Sequence, residues 1–300
     1  MTAIEIVEVS ARDGLQNDPG LLSTEQKVAL VAHCAKAGLR RAEIASFVNP
    51  KLVPQMADGE AVVAGVRASV PGPASWIGLV LNTRGFHRAA AAGVDEVNCV
   101  VSVTDEFSQA NQGMTSEQAV AVVAEVVPLA RAAGISPTVT LSVAFGCPFS
   151  GEVPTDQLRR VAEQVAATGV DEIAIADTIG VAVPVDVSAR VAMVRDLIGD
   201  LRLRAHFHNT RNTGYANALA AADAGVSVLD SSLGGIGGCP FAPRATGNIA
   251  TEDLVYALHR SGFDTGVDLA AAIRASQWLG EQLGRDLPAY LPRAGTFPVA

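Results

Sequence analysis

Lysine is nearly missing from this chain. Of its 22 basic residues only three are lysine, and the rest are arginine. Lys27 and Lys36 fall in a helical stretch, and Lys51 follows a proline in a loop. A Schiff-base aldolase needs a lysine on a buried strand, so that route is excluded. Aromatic residues make up 5% and the net charge is −9. With no basic stripe and few rings to stack on bases, nucleic acid is not an expected partner. The four cysteines, at 34, 99, 147 and 239, form no CxxC pair, so neither a disulfide framework nor a structural zinc is indicated. Long apolar runs are also missing. The best candidate, residues 119 to 135, is broken by Glu125, Pro128 and Arg131, and no membrane partner is expected. The first residues carry no basic segment followed by an apolar one, so a cytoplasmic location is expected. No P-loop, GxSxG or HExxH string occurs.

What is present is a repeated pattern. Apolar runs rich in β-branched residues recur at 4–9, 41–45, 75–81, 96–101, 138–144, 172–176, 203–207 and 226–230. They are nearly continuous rather than alternating, as expected of parallel strands covered on both faces. Between them lie helical stretches, including 24–37, 116–133, 154–168 and 212–224, with Ser116 as the expected N-cap of the second. Helices repeatedly end at a glycine before the next strand, as at Gly38, Gly93, Gly134, Gly169 and Gly225. Eight βα units and no GxGxxG after the first strand predict an α/β fold, a (β/α)8 TIM barrel. A barrel domain is expected over 1–265. The residues 266–300 would form an extra C-terminal helical segment packed on it, with a helix over 268–283 and a loosely ordered proline-rich tail.

In such barrels chemistry collects where the strands end. After the first strand come Arg12 and Asp13, either a site pair or a surface ion pair in a turn. Glu43 sits inside an apolar run, where a carboxylate is costly to bury without a partner, and Arg12 is a suitable one. Asp177 ends the sixth strand and reads either as a site acid or as a cap of the following turn. His206 and His208 are the sharpest local signal. Residues two apart on a strand share a face, so both imidazoles can meet one metal ion. Asn248 adds a hard amide oxygen. One aspartate, two histidines and one asparagine suit octahedral Mg²⁺ or Mn²⁺ better than tetrahedral Zn²⁺. Cys239 follows Gly234-Gly235-Ile236-Gly237-Gly238, a glycine-rich loop able to close over a substrate, and is a candidate reactive thiol. Cys34, Cys99 and Cys147 read as packing residues.

These strings together resemble the 3-hydroxy-3-methylglutaryl-CoA lyase family, metal-dependent barrel lyases related to Claisen-type synthases. The matching segments are Val7-Glu8-Val9 with Arg12-Asp13-Gly14-Leu15-Gln16-Asn17, Ser46-Phe47-Val48 with Pro50-Lys51 and Val53-Pro54-Gln55-Met56, and Gly146-Cys147-Pro148-Phe149. They continue with Asp177-Thr178-Ile179-Gly180-Val181, His206-x-His208, and the long stretch from Gly237-Gly238-Cys239 through Gly247-Asn248 to Tyr256.

The resemblance implies a divalent cation on Asp13, His206, His208 and Asn248. It implies that Arg12 polarises a thioester carbonyl and that Glu43, Asp177 and Cys239 serve proton transfer. Gln16, Ser46, Lys51 and Thr178 are taken as substrate-binding, Lys51 toward a CoA phosphate. The implied reaction is cleavage of C2–C3 of 3-hydroxy-3-methylglutaryl-CoA to acetyl-CoA and acetoacetate, in an acyl-CoA-binding protein that forms a homodimer or higher homo-oligomer. The chain also departs from the family. Where the family has His-x-His-Asp-Thr-Tyr-Gly, this chain runs His208-Asn209-Thr210-Arg211-Asn212. A different 3-hydroxy-3-substituted dicarboxyl-CoA is therefore an alternative substrate, and a Claisen-type acyl-CoA synthase an alternative activity. A non-catalytic relative would be expected to lack a site residue, and none is missing here.

Overall fold

The structure is a computed structural model that describes residues 2–238 and 247–298. Eight strands carry the barrel: β1 (Glu5–Glu8), β2 (Arg41–Ser46), β3 (Ser75–Val80), β4 (Glu96–Ser102), β5 (Ser136–Ser142), β6 (Glu172–Asp177), β7 (Arg202–Phe207) and β8 (Val228–Ser231). They pair in sequence order, and β8 returns to β1, so the barrel is closed. Every pair in it is parallel. Strands β2, β6 and β8 are buried at every position. Helices cover one face and the packed interior covers the other, which is why these runs read as continuous apolar sequence.

The helices are α1 (Thr24–Lys36), α2 (Gly59–Ser69), α3 (Thr83–Ala92), α4 (Asp105–Gln112), α5 (Ser116–Ala132), α6 (Thr155–Ala166), α7 (Pro184–Ile198), α8 (Gly214–Asp223), α9 (Thr251–Arg260), α10 (Leu269–Leu283) and α11 (Leu291–Ala294). Ser23 opens α1 with a capping box that uses Gln26. The N-cap of α5 is Thr115, not Ser116 as expected. Thr115 finds Gln118 three residues on, and that reciprocal pair moves the helix start by one position.

The C-terminal segment lies against the barrel. The Asp268 N–H donates to the Ala37 carbonyl at 2.8 Å, and Gln26 Nε2 donates to Gln282 Oε1 at 2.9 Å. The expected loose tail is instead docked through residue 291. The Asp253 carboxylate accepts the N–H groups of Tyr290 and Leu291, both at 2.9 Å, and the Ala289 N–H donates to the Gly234 carbonyl. The partners of these bonds are remote in sequence, so local composition did not announce them.

At the N-terminal end of the barrel, Arg41 fans out to three glutamates. It donates to Glu96 at 3.0 and 2.8 Å, to Glu172 at 2.9 and 2.8 Å and to Glu5 at 3.1 Å. Arg41, Glu96 and Glu172 are buried. Each carboxylate therefore has a guanidinium partner, which offsets the cost of taking these charges out of water.

Candidate active site and metal centre

The opposite end of the barrel holds the strand-end residues. A single π-helical turn, Ser10–Gly14, follows β1. Its width, closed by the Gly14 N–H on the Val9 carbonyl at 3.1 Å, sets Arg12 and Asp13 side by side at the barrel mouth. Arg12 Nη1 donates to Asp13 Oδ1 at 2.9 Å, and its Nε donates to Glu43 Oε1. Glu43 lies at a register shift between β2 and β3, a bulge that re-aims the side chain. Its other oxygen accepts Asn98 Nδ2 at 3.0 Å, and Asn98 Oδ1 accepts the Thr140 hydroxyl at 3.1 Å. Arg12 is thus gripped from two sides, with its side chain 12% exposed.

Asp13, His206 and His208 form a group in which each offers one ligand atom, and these atoms lie within 4.8 Å of one another. Asn248 is brought to them by a bridge that pairs it with His208. Two glycines permit the approach. A Cβ on Gly237 would lie 2.5 Å from Asn248 Nδ2, and one on Gly247 would lie 2.3 Å from the Gly237 carbonyl oxygen. Asn248 Nδ2 donates to Asp13 Oδ2 at 2.8 Å and to the Ile236 carbonyl at 3.1 Å. That leaves its Oδ1 buried without a hydrogen-bond partner, and His208 Nδ1 is buried and unpartnered too. Two buried unpartnered polar atoms beside a carboxylate and a second imidazole are a costly arrangement for a bare interior. They fit a hard divalent cation.

The protonation states of Asp13 and His208 suit ligands. Burial acts to raise the Asp13 pKa, but Arg12 and the two histidines more than offset it and hold the group at about 2. Burial and the neighbouring His206 push His208 down to about 4, so its ring stays neutral. Burial also works against protonation of His206. The hydrogen bond and charge of Asp230 outweigh it and raise that pKa.

The remaining sequence candidates are placed as follows. Asp177 is buried, and both its oxygens accept backbone N–H groups, Val181 at 2.9 Å and Ala182 at 3.0 Å. It stands opposite Phe207 in the strand register, while Ala176 stands opposite His206. Burial raises its pKa against the pull of those amides. Thr178 Oγ1 accepts the N–H of Val143, a β-branched residue held at φ +51°. Gln16 Oε1 and Ser46 Oγ are buried without partners. Lys51 is exposed in the turn after β2. Cys239 lies outside the described residues. Cys34, Cys99 and Cys147 are buried free thiols, and burial pushes Cys99 to about 12.

Sequence reasoning passed over Asn98, Arg204 and Asp230. The last two had a legible signal. Asp230 is a carboxylate ending an apolar strand, and Arg204 stands two residues before His206 on the same face. The departure at Arg211-Asn212 has a local cause. Asn212 sits at φ +57°, a position that suits the family's glycine and that asparagine tolerates. Arg211 Nη1 donates to the carbonyls of Ile179 and Gly180, which ties the ends of β6 and β7 together.

A guanidinium and a group of candidate cation ligands, set side by side at the mouth of a parallel barrel, mark the class of barrel enzymes that can hold a hard cation beside a fixed positive charge. Comparison with known proteins is specific about which one. The HMGL-like family model matches residues 3–279, and the chain belongs to that family as a carbon–carbon lyase. It is 44% identical to the (R)-citramalyl-CoA lyase of Chloroflexus aurantiacus over 98% of this chain and 96% of that one. It is 40% identical to the mitochondrial hydroxymethylglutaryl-CoA lyase of Mus musculus, over 94% of this chain and 86% of that one. Among solved structures, an HMG-CoA lyase from Acinetobacter baumannii in complex with coenzyme A and 3-methylmalate superposes with a TM-score of 0.94. It shares 38% identity, with 99% of this chain and 97% of that one covered. No helix among the described residues is long and apolar enough to cross a membrane.

Proposed function

We propose that the protein cleaves the C2–C3 bond of a 3-hydroxy-3-methyl dicarboxylic acyl-CoA by retro-Claisen chemistry. We put (R)-citramalyl-CoA first, with acetyl-CoA and pyruvate as products. The observation that supports the reaction class is the adjacency of Arg12 and Asp13, which would set an enolate stabiliser beside the candidate cation ligands. The observation that favours this acyl group is the 44% identity to a citramalyl-CoA lyase, against 34–40% for the hydroxymethylglutaryl-CoA lyases. The second reading is 3-hydroxy-3-methylglutaryl-CoA, giving acetyl-CoA and acetoacetate. The long glycine-cysteine segment that the chain shares with that family supports it.

Asp13, His206, His208 and Asn248 would hold Mg²⁺ or Mn²⁺, which supplies a Lewis acid that lowers the pKa of the tertiary hydroxyl. The hydroxyl proton passes to solvent at the barrel mouth, the C3–O bond becomes a carbonyl, and the C2–C3 electron pair passes to C2. Arg12 meets the charge that develops on the thioester oxygen. Glu43 and Asp13 keep its guanidinium from swinging away, so little reorganisation is needed as that charge appears. The enolate carbon then takes a proton, a role we assign to Cys239. We assign Asp177 to holding the turn after β6, since both of its oxygens are engaged there. Gln16 and Ser46, each with a buried unpartnered oxygen, are the better placed of the substrate-binding candidates.

The test is a direct comparison of kcat/KM for (R)-citramalyl-CoA and 3-hydroxy-3-methylglutaryl-CoA with Mg²⁺ or Mn²⁺ present. Acetyl-CoA is read in both cases, and pyruvate or acetoacetate identifies the second product. A higher value for citramalyl-CoA supports the first reading and a higher value for the other thioester the second. No acetyl-CoA from either would refute the proposed reaction.

A further inference from the structure

Beneath the cation cluster runs a buried line of charge that the reaction scheme does not use. Asp230, one residue before the end of β8, lies with its Oδ2 3.2 Å from His206 Nδ1. Its Oδ1 lies 3.5 Å from Arg204 Nη1. Arg204 is fully buried, with its Nε 3.1 Å from Glu172 Oε1. Glu172 is in turn held by two hydrogen bonds from Arg41. The line therefore runs from the N-terminal end of the barrel to a metal-ligand candidate at its mouth.

We propose that Asp230, itself ion-paired with Arg204, is a positioning residue that fixes the tautomer and ring orientation of His206 for cation binding. The inference rests on the reading of His206 as a ligand. A neutral imidazole carries one N–H. An ionised carboxylate only accepts, so the nitrogen facing Asp230 must be the protonated one. Nε2 is then left with a free lone pair, the state a metal ligand requires. Arg204 faces the other oxygen as an ion pair without a hydrogen bond, and its permanent positive charge favours the ionised, accepting carboxylate. His208 has no such partner at its Nδ1. The two imidazoles are therefore not equivalent, and His206 is the one whose orientation the barrel interior dictates.

Asp230→Asn separates positioning from charge. Arg204 would draw the amide oxygen, which leaves the amide NH₂ facing His206 Nδ1. That nitrogen must then accept, and the ring proton moves to Nε2, where it blocks coordination. The experiment uses metal-free protein labelled with ¹⁵N-histidine at alkaline pH, with long-range ¹H–¹⁵N correlation to report the tautomer. The His206 signals are assigned by their loss in His206→Gln. Mn²⁺ affinity is measured in parallel by electron paramagnetic resonance, and thermal unfolding reports folding.

We expect an Nδ1–H tautomer in the wild type, an Nε2–H tautomer in Asp230→Asn, and Mn²⁺ binding weakened by about 10–100-fold in that variant. A wild-type ring protonated at Nε2 overturns the proposal and needs no variant to fold. A folded Asp230→Asn that binds Mn²⁺ within about twofold of wild type also overturns it, being well short of the loss an outer ligand-orienting partner normally causes. Wild-type protein that binds no Mn²⁺ refutes the cation reading, and with it a role for Asp230 in ligation, whatever the tautomer.

Discussion

Arg12→Met removes the group assigned to the developing enolate, and the structure lets its two consequences be separated. Arg12 makes one hydrogen bond to Glu43 and one to Asp13. Glu43 is 1% exposed and would keep only Asn98 as a partner. Leaving a buried carboxylate without its counter-charge costs about 3–5 kcal/mol of stability. Losing one preorganised donor at the developing oxyanion costs a further factor of about 10²–10³ in kcat, or about 2.7–4 kcal/mol at the transition state. The double variant Arg12→Met/Glu43→Gln removes the stranded charge as well. It is expected to regain most of the lost thermal stability while kcat stays at the level of the single variant. Thermal unfolding and steady-state kinetics at saturating thioester read the two effects independently. If Arg12→Met retains more than about a tenth of wild-type kcat, far above that loss, the guanidinium is not stabilising the enolate. If the double variant recovers activity along with stability, the effect of Arg12 is structural.

Two other outcomes follow from the same geometry. In chelator-treated protein, His208 takes up a proton at about pH 4 when folded and at its ordinary value of 6.5 when unfolded. Acid therefore favours the unfolded chain between those limits, and thermal stability falls as pH drops from 6.5 to 4, by at most about 3 kcal/mol. His206, with a raised pKa, contributes with the opposite sign, and its stabilisation is lost as pH rises above 6.5. A pH series of thermal unfolding should peak between the two limbs, and His208→Asn should flatten the acid one. An acid limb that survives in that variant would assign the effect to other groups. Thr178→Val removes the acceptor of the buried Val143 N–H and should cost about 1–3 kcal/mol of stability. The KM is expected to stay unchanged, whereas a raised KM with normal stability would return Thr178 to substrate binding.

Much of the barrel was readable because its strands are covered on both faces. The runs at 41–45 and 172–176 each fall one residue short of β2 and β6, and both strands are buried throughout. Asp13, His206 and His208 were readable because a strand's period of two and a strand-end position are local properties. The structure brings them within 4.8 Å, together with Asn248 on a separate segment. What the sequence hid is non-local. The pairing of Arg41 with Glu96 and Glu172 joins residues 55 and 131 positions apart, and nothing in the strand pattern selects those partners. Asp230 went unread for a different reason. It ends its run like the other site residues, yet its function is to support His206 rather than to face the mouth. Asp177 carried two readings, a site acid and a cap of the following turn, and the structure shows its oxygens accepting two amides of that turn.

One divalent cation on Asp13, His206, His208 and Asn248 is expected to enable carbon–carbon cleavage of the acyl-CoA. This is tested most directly by acetyl-CoA release from (R)-citramalyl-CoA and 3-hydroxy-3-methylglutaryl-CoA by chelator-treated protein, titrated with Mn²⁺. The expected result is no release before Mn²⁺, restoration that saturates at one ion per chain, and no restoration in His206→Ala. Release at full rate in excess chelator, or undiminished restoration in His206→Ala, would contradict it.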